Sequence, residues 1–132
     1  MSYRRYRGRR IDTKQWVVGS LIVGKGRLFQ IDTGKIDAFP EMNTLHIVDP
    51  VTVGEGSGVK DMYGVEIFEH DVVRGLLFGN TPVDSICEFK KGSFGLNWPW
   101  GDDSTFSPLH SLNSKDLCVI GNKFDPDNIH RR

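Results

Sequence analysis

Cysteine is scarce in this chain, and long apolar runs do not occur at all. The 132 residues include two cysteines, Cys87 and Cys118, and neither belongs to a CxxC pair. That spacing gives no structural zinc site. Each cysteine stands in an apolar, strand-like run, where a free thiol acts as a small hydrophobe. The reading is two buried free thiols, with a bridge between neighbouring strands as the alternative. No 18 consecutive apolar residues occur and no apolar core follows Met1. This predicts a chain that neither spans a membrane nor is exported, at home in a reducing cytoplasm. No stretch longer than ten residues keeps a clean helical period. Catalytic spacings are missing as well. His46, His70, His110 and His130 form no HxH or HExxH, and Gly54-x-Gly-x-Gly lacks the GxGxxG spacing. His110-Ser111 has no nucleophile-elbow pattern around it. No catalytic residue, no metal ligand and no cofactor is assigned.

Fifteen glycines and six prolines punctuate a chain that is 38% hydrophobic and 11% aromatic. That composition excludes wholesale disorder and favours many short elements. The length fits one domain spanning residues 1–132. Strands are predicted at Gln15–Val23, Arg27–Ile31, Thr44–Val48, Val65–Phe68, Asp71–Phe78, Val83–Lys90, Ser93–Trp98 and Leu117–Lys123, with an edge strand at Val51–Val53. Gly24-Lys25-Gly26 and Lys91-Gly92 read as hairpin turns, and Gly54–Gly58 as a flexible link. Residues 99–114 read as a long loop. The fold class is therefore mainly β, a small barrel elaborated with extra strands and a long loop, with little helix.

Net charge is zero, but the distribution is lopsided. Residues 1–10 carry five arginines and no acid, whereas residues 41–128 hold six bases against fourteen acids. The N-terminal segment reads as a basic arm: Tyr3, Arg4, Arg5, Tyr6, Arg7, Arg9 and Arg10 are candidates for nucleic acid, arginines on phosphates and tyrosines stacked on bases. The bland reading is a solvated segment, or one paired with the acidic body. Trp98, Trp100 and Phe106 are the partner-binding candidates, because a proline-broken strand end with two indoles presents a rigid aromatic ledge. The alternative is that a tryptophan caps the core. Asp61, Gly64, Glu66, Glu69 and Asp71 cluster in one run. Glu69 and Asp71 share a face in an extended chain, and paired carboxylates hold Mg²⁺ or transfer protons. The competing reading is structural, with Asp71 bonding the amides of its turn.

The run Gly58-Val59-Lys60-Asp61-Met62-Tyr63-Gly64-Val65-Glu66-Ile67-Phe68-Glu69-His70-Asp71-Val72-Val73 resembles the core of the YopX-like family of bacteriophage and prophage proteins. Tyr6–Asp12 with Trp16–Leu21, Val48–Gly54, and Val119–Asn122 with Asp125-Pro126 resemble that family's start, middle and end, in order. His70 stands where the family usually carries glycine, and Gly-Glu-Gly-Ser precedes Gly58 where it more often has an aromatic and a threonine. The resemblance implies a small barrel of the SH3 type, phage or prophage origin, a bacterial host cytoplasm, and no catalytic residues to carry over. The function expected is a non-catalytic binding module acting through a protein partner or homo-oligomer, away from membranes. The alternative is a nucleic-acid-binding accessory protein using the arginine-rich segment. A carboxylate-metal hydrolase is the third class.

Overall fold

A computed structural model describes residues 5–34, 44–77, 81–98 and 106–125. Among these residues every element is a β-strand or a 3-10 turn. The chain divides into two compact units, residues 1–56 and 57–132.

The first unit holds β1 (Tyr6–Arg9), β2 (Trp16–Val23), β3 (Phe29–Asp32), β4 (Leu45–Ile47) and the start of β5 (Gly54–Lys60). All its pairings are antiparallel, in the order β4-β3-β2-β1-β5. Tyr6–Arg9 of the expected basic arm is thus a strand with partners on both edges. Gly8 makes this possible: a Cβ there would lie 3.0 Å from the Val48 side chain and 3.1 Å from Ile31 Cδ1. The chain leaving β1 meets the end of β4. Arg10 bridges Val48, and Asp49 N–H donates to Arg9 O at 2.9 Å. Pro50–Thr52 is a 3-10 turn capped by the Asp49 carboxylate, not the expected edge strand. Pro50 sets the turn's φ and cannot donate to a ladder. Gly54–Gly58 is not a loose link either. Gly54 and Glu55 pair with Arg7 and Tyr6, which satisfies backbone groups that a free link would leave to water.

The second unit holds the end of β5, then β6 (Glu66–Phe68), β7 (Asp71–Leu77), β8 (Thr81–Lys90), β9 (Ser93–Asn97), β10 (Phe106–Pro108) and β11 (Leu117–Asn122). Its main ladder runs β10-β9-β8-β7-β11, with a register shift between Val119 and Gly121. Strand β10 and the 3-10 turn Leu109–Ser111 stand inside the expected long loop, whose residues 99–105 lie outside the described ones. Pro108 is tolerated because β10 is the outer strand of that ladder. Ile67, Val73, Cys87, Leu96, Trp98, Leu109 and Leu117 form its core, each at most 4% exposed. Both cysteines are free thiols. Cys87 is in this core, while Cys118 is half-buried on β11, separated from β8 by β7.

One strand order occurs twice. The meander β1 to β4 is followed by 3-10 structure and by β5 beside β1, and the meander β7 to β10 by 3-10 structure and by β11 beside β7. No fixed-period repeat is visible in the sequence, because the shared feature is connectivity and not residue identity.

His70 has φ +77°, a conformation that glycine takes cheaply and histidine does not. Its backbone is held on both sides: His70 N–H donates to Cys87 O, and Lys123 N–H donates to His70 O, both at 2.8 Å. The ring packs edge-on against Phe124 with centroids 5.0 Å apart. This turn ends the extended run before Asp71, so Glu69 and Asp71 do not share a strand face as expected.

Candidate binding face

Cross-strand register decides what β1 to β4 present outward. Partners directly opposite one another share a face, and alternate residues along a strand return to it. Arg9 faces Trp16, and Arg7 faces Val18. Ser20, Asp32 and Leu45 form the next row, and Ile22, Gln30 and Ile47 the last. The opposite side carries Gly8, Leu21 and Ile31, with Ile31 fully buried. The outward face is therefore cationic and aromatic at one end and apolar at the other. Ile22 is 41%, Leu45 37% and Ile47 45% exposed. A shallow hollow of about 290 Å³, lined by Arg10, Ile11, Asp12, Leu45, His46 and Ile47, opens beside the apolar rows.

At the cationic end the Arg7 guanidinium lies 5.1 Å and the Arg9 guanidinium 6.0 Å from the Trp16 ring centroid. Such contacts contribute roughly 0.5–1 kcal/mol at exposed sites, enough to orient the guanidiniums. Arg10 points elsewhere and pairs with Asp12 through two hydrogen bonds of 3.0 and 2.8 Å. This bond holds the Asp12 carboxyl below its ordinary pKa, helped by the Thr13 amide and partly opposed by desolvation. A lowered folded-state pKa gives a contribution that is present above the carboxylate range and lost as pH falls through it.

Tyr6, expected to stack beside the arginines, faces Gly19 on the other side of the sheet. Adjacent residues of a strand point to opposite faces, so interleaving separates the two residue types. Trp16, not Tyr6, is the aromatic residue that the register brings to the arginines. Tyr3 and Arg4 lie outside the described residues.

The signature carboxylates serve the backbone. Asp61 is 5% exposed; its Oδ1 accepts Tyr63 N–H at 2.9 Å and Val65 N–H at 3.0 Å, and its Oδ2 accepts Val119 N–H at 2.9 Å. Asp71, 1% exposed, accepts Phe68 N–H at 2.9 Å and the Asn122 side-chain amide at 3.2 Å. Glu66 Oε2 accepts Gly58 N–H at 3.2 Å, Gly64 turns at φ +80°, and Glu69 is half-buried. Among the described residues no three His, Cys, Asp or Glu side chains are grouped to hold a metal ion.

Trp98 is not an exposed ledge. It is 4% exposed, lies across Gly75, and donates Nε1–H to Ser107 Oγ at 2.9 Å. An indole beside a strand with no side chain at Gly75 fills the core and still satisfies its N–H. Phe106 lies across Gly95, with Lys90 Nζ 5.6 Å from its ring. Trp100 lies outside the described residues.

The fold and this face together describe, among the described residues, an all-β protein in which one five-strand order occurs twice. The chain belongs to the YopX family, whose model, described as YopX protein, matches residues 5–128. No curated protein matches the chain. None of the described helices is long and apolar enough to cross a membrane.

Proposed function

We propose that this member of the YopX family is a non-catalytic binding module, carried on a phage or prophage genome and acting in the bacterial cytoplasm through a protein partner or by self-association. The strand order supports reading β1 to β5 and β7 to β11 each as a small SH3-type barrel, with the fifth strand returned beside the first. The observation that carries the reading is an imbalance in the first unit. Among the described residues, only Ile31 and Val48 are buried large hydrophobics there, while Ile11, Ile22, Val23, Leu28, Leu45, Ile47 and Val51 are exposed. Burying one such side chain contributes roughly 1.5–3 kcal/mol, so a partner that covers several of them gains what the first unit alone leaves unrealised. Ile22, Leu45 and Ile47 share one face, with Gln30 between Ile22 and Ile47, and this is the face assigned to docking.

Self-association is the form tested most directly. Light scattering across a concentration series is expected to give a mass above the 14.9 kDa of one chain. The double substitution Ile22→Lys with Ile47→Lys is expected to return it to one chain. These positions are exposed, so the fold should remain. A parent protein that stays at one chain's mass at every concentration would remove self-association.

A further inference from the structure

We propose that the row Arg5, Arg7 and Arg9, with Trp16 beside it, binds a single strand of nucleic acid. Phosphates lie along the guanidiniums and a base stacks at the indole. This goes beyond the protein–protein reading and rests only on its premise that the outward face binds and does not react. Three observations carry it.

The first is the geometry of the row. Arg7 and Arg9 are alternate residues of β1, and Arg5 continues the alternation, its carbonyl accepting Gly56 N–H at 2.7 Å. Alternate residues of a strand stand roughly 6.5–7 Å apart on one face. A stretched polynucleotide spaces its phosphates on the same scale, so one strand laid along β1 meets successive arginines. The second is the placement of Trp16 opposite Arg9, where the register puts an aromatic surface next to the phosphate track. Stacking on such a surface contributes about 1–3 kcal/mol per base whatever the base, which suits sequence-tolerant binding of a single strand. The third is charge. Residues 1–56 hold nine basic against six acidic residues, whereas residues 57–132 hold eight against eleven. The acidity that would repel phosphate thus belongs mostly to the other unit. By register the outward face of β1 to β4 carries Arg7 and Arg9 against one acid, Asp32, among the described residues.

The test is a salt titration of the full chain against a fluorescein-labelled oligothymidylate, a matched duplex, and a polyglutamate peptide of similar charge. Removing two phosphate contacts should lower the slope of log affinity against log salt by about 1.4, since each contact on a single strand contributes about 0.7. Arg7→Gln with Arg9→Gln should show that change and an affinity loss of about tenfold or more at low salt. Arg5→Gln, at an exposed position that leaves the fold intact, should lower the slope by about 0.7. Trp16→Leu should weaken the oligothymidylate several-fold with the slope unchanged. Unchanged binding in the arginine variants overturns the proposal, as does no binding by the parent at low salt. Equal binding of the duplex overturns the single-strand assignment, and equal binding of polyglutamate makes this a site for acidic protein. If the oligonucleotide arm fails while Ile22→Lys with Ile47→Lys still abolishes self-association, the binding-module reading stands without this inference.

Discussion

Asp61→Ala is expected to destabilise the second unit by about 3–5 kcal/mol. The carboxylate accepts three backbone amides, two from its own turn and one from β11, while almost fully buried. Hydrogen bonds to a charged group contribute about 1.5–3 kcal/mol each, and alanine leaves the donors without the partner they were folded around. The bond to Val119 spans 58 positions of sequence, so its loss frees the turn from β11 as well as loosening the turn. Asp61→Asn keeps an acceptor for the turn amides but sets an amide group against Val119 N–H. It should cost about half as much. Denaturant melts followed by hydrogen exchange at β7 and β11 amides measure both. A loss below about 1 kcal/mol for the alanine variant would show that this carboxylate does not staple turn to strand.

Gly95→Ala carries the second large expected effect. A Cβ at Gly95 would stand 2.5 Å from Phe106 Cζ and 2.6 Å from Ser107 O. The phenyl ring can swing aside, but the carbonyl belongs to the backbone of β10. The outer strand must therefore shift, which pulls Ser107 Oγ away from Trp98 Nε1 and uncovers the core beside Leu109. A cost of about 2–4 kcal/mol follows from overpacking plus the exposed indole. Tryptophan emission should move to longer wavelength at the same time. Adding Phe106→Ala should recover part of the loss and leave the part due to Ser107 O. The pair is thus expected to be non-additive. Strict additivity would mean that Phe106 does not rest on Gly95.

These two sites show what could be read from residues alone. The turn around Asp61 to Gly64 is legible because an aspartate that bonds its own turn and a glycine at φ > 0 are local chemistry. Val119 as the third donor is not legible, since nothing local indicates which distant strand passes above the carboxylate. Gly95 reads as an ordinary strand residue until β10 is found inside the proline-rich stretch, and β10 is too short to leave a period. The same limit governs the outward face. The alternation of Arg5, Arg7 and Arg9 is written in the sequence, but their meeting with Trp16 depends on the β1–β2 register. The arginines read as an arm because charge density hides a strand whose inward residues include a small Gly8. Trp98 reads as a ledge because a proline follows it. Its burial depends on the empty space over Gly75, which lies on a neighbouring part of the sheet and not in the local sequence.

We propose that the outward face of the first unit grips a partner, in the first instance a second copy of the chain. Isoleucine-methyl NMR over a concentration series tests it most directly. Ile22 and Ile47 methyl signals are expected to shift together as the protein is concentrated, while the buried Ile31 and Ile67 stay in place. Oligomers that form with Ile22 and Ile47 unmoved, or shifts confined to residues 57–132, would contradict it.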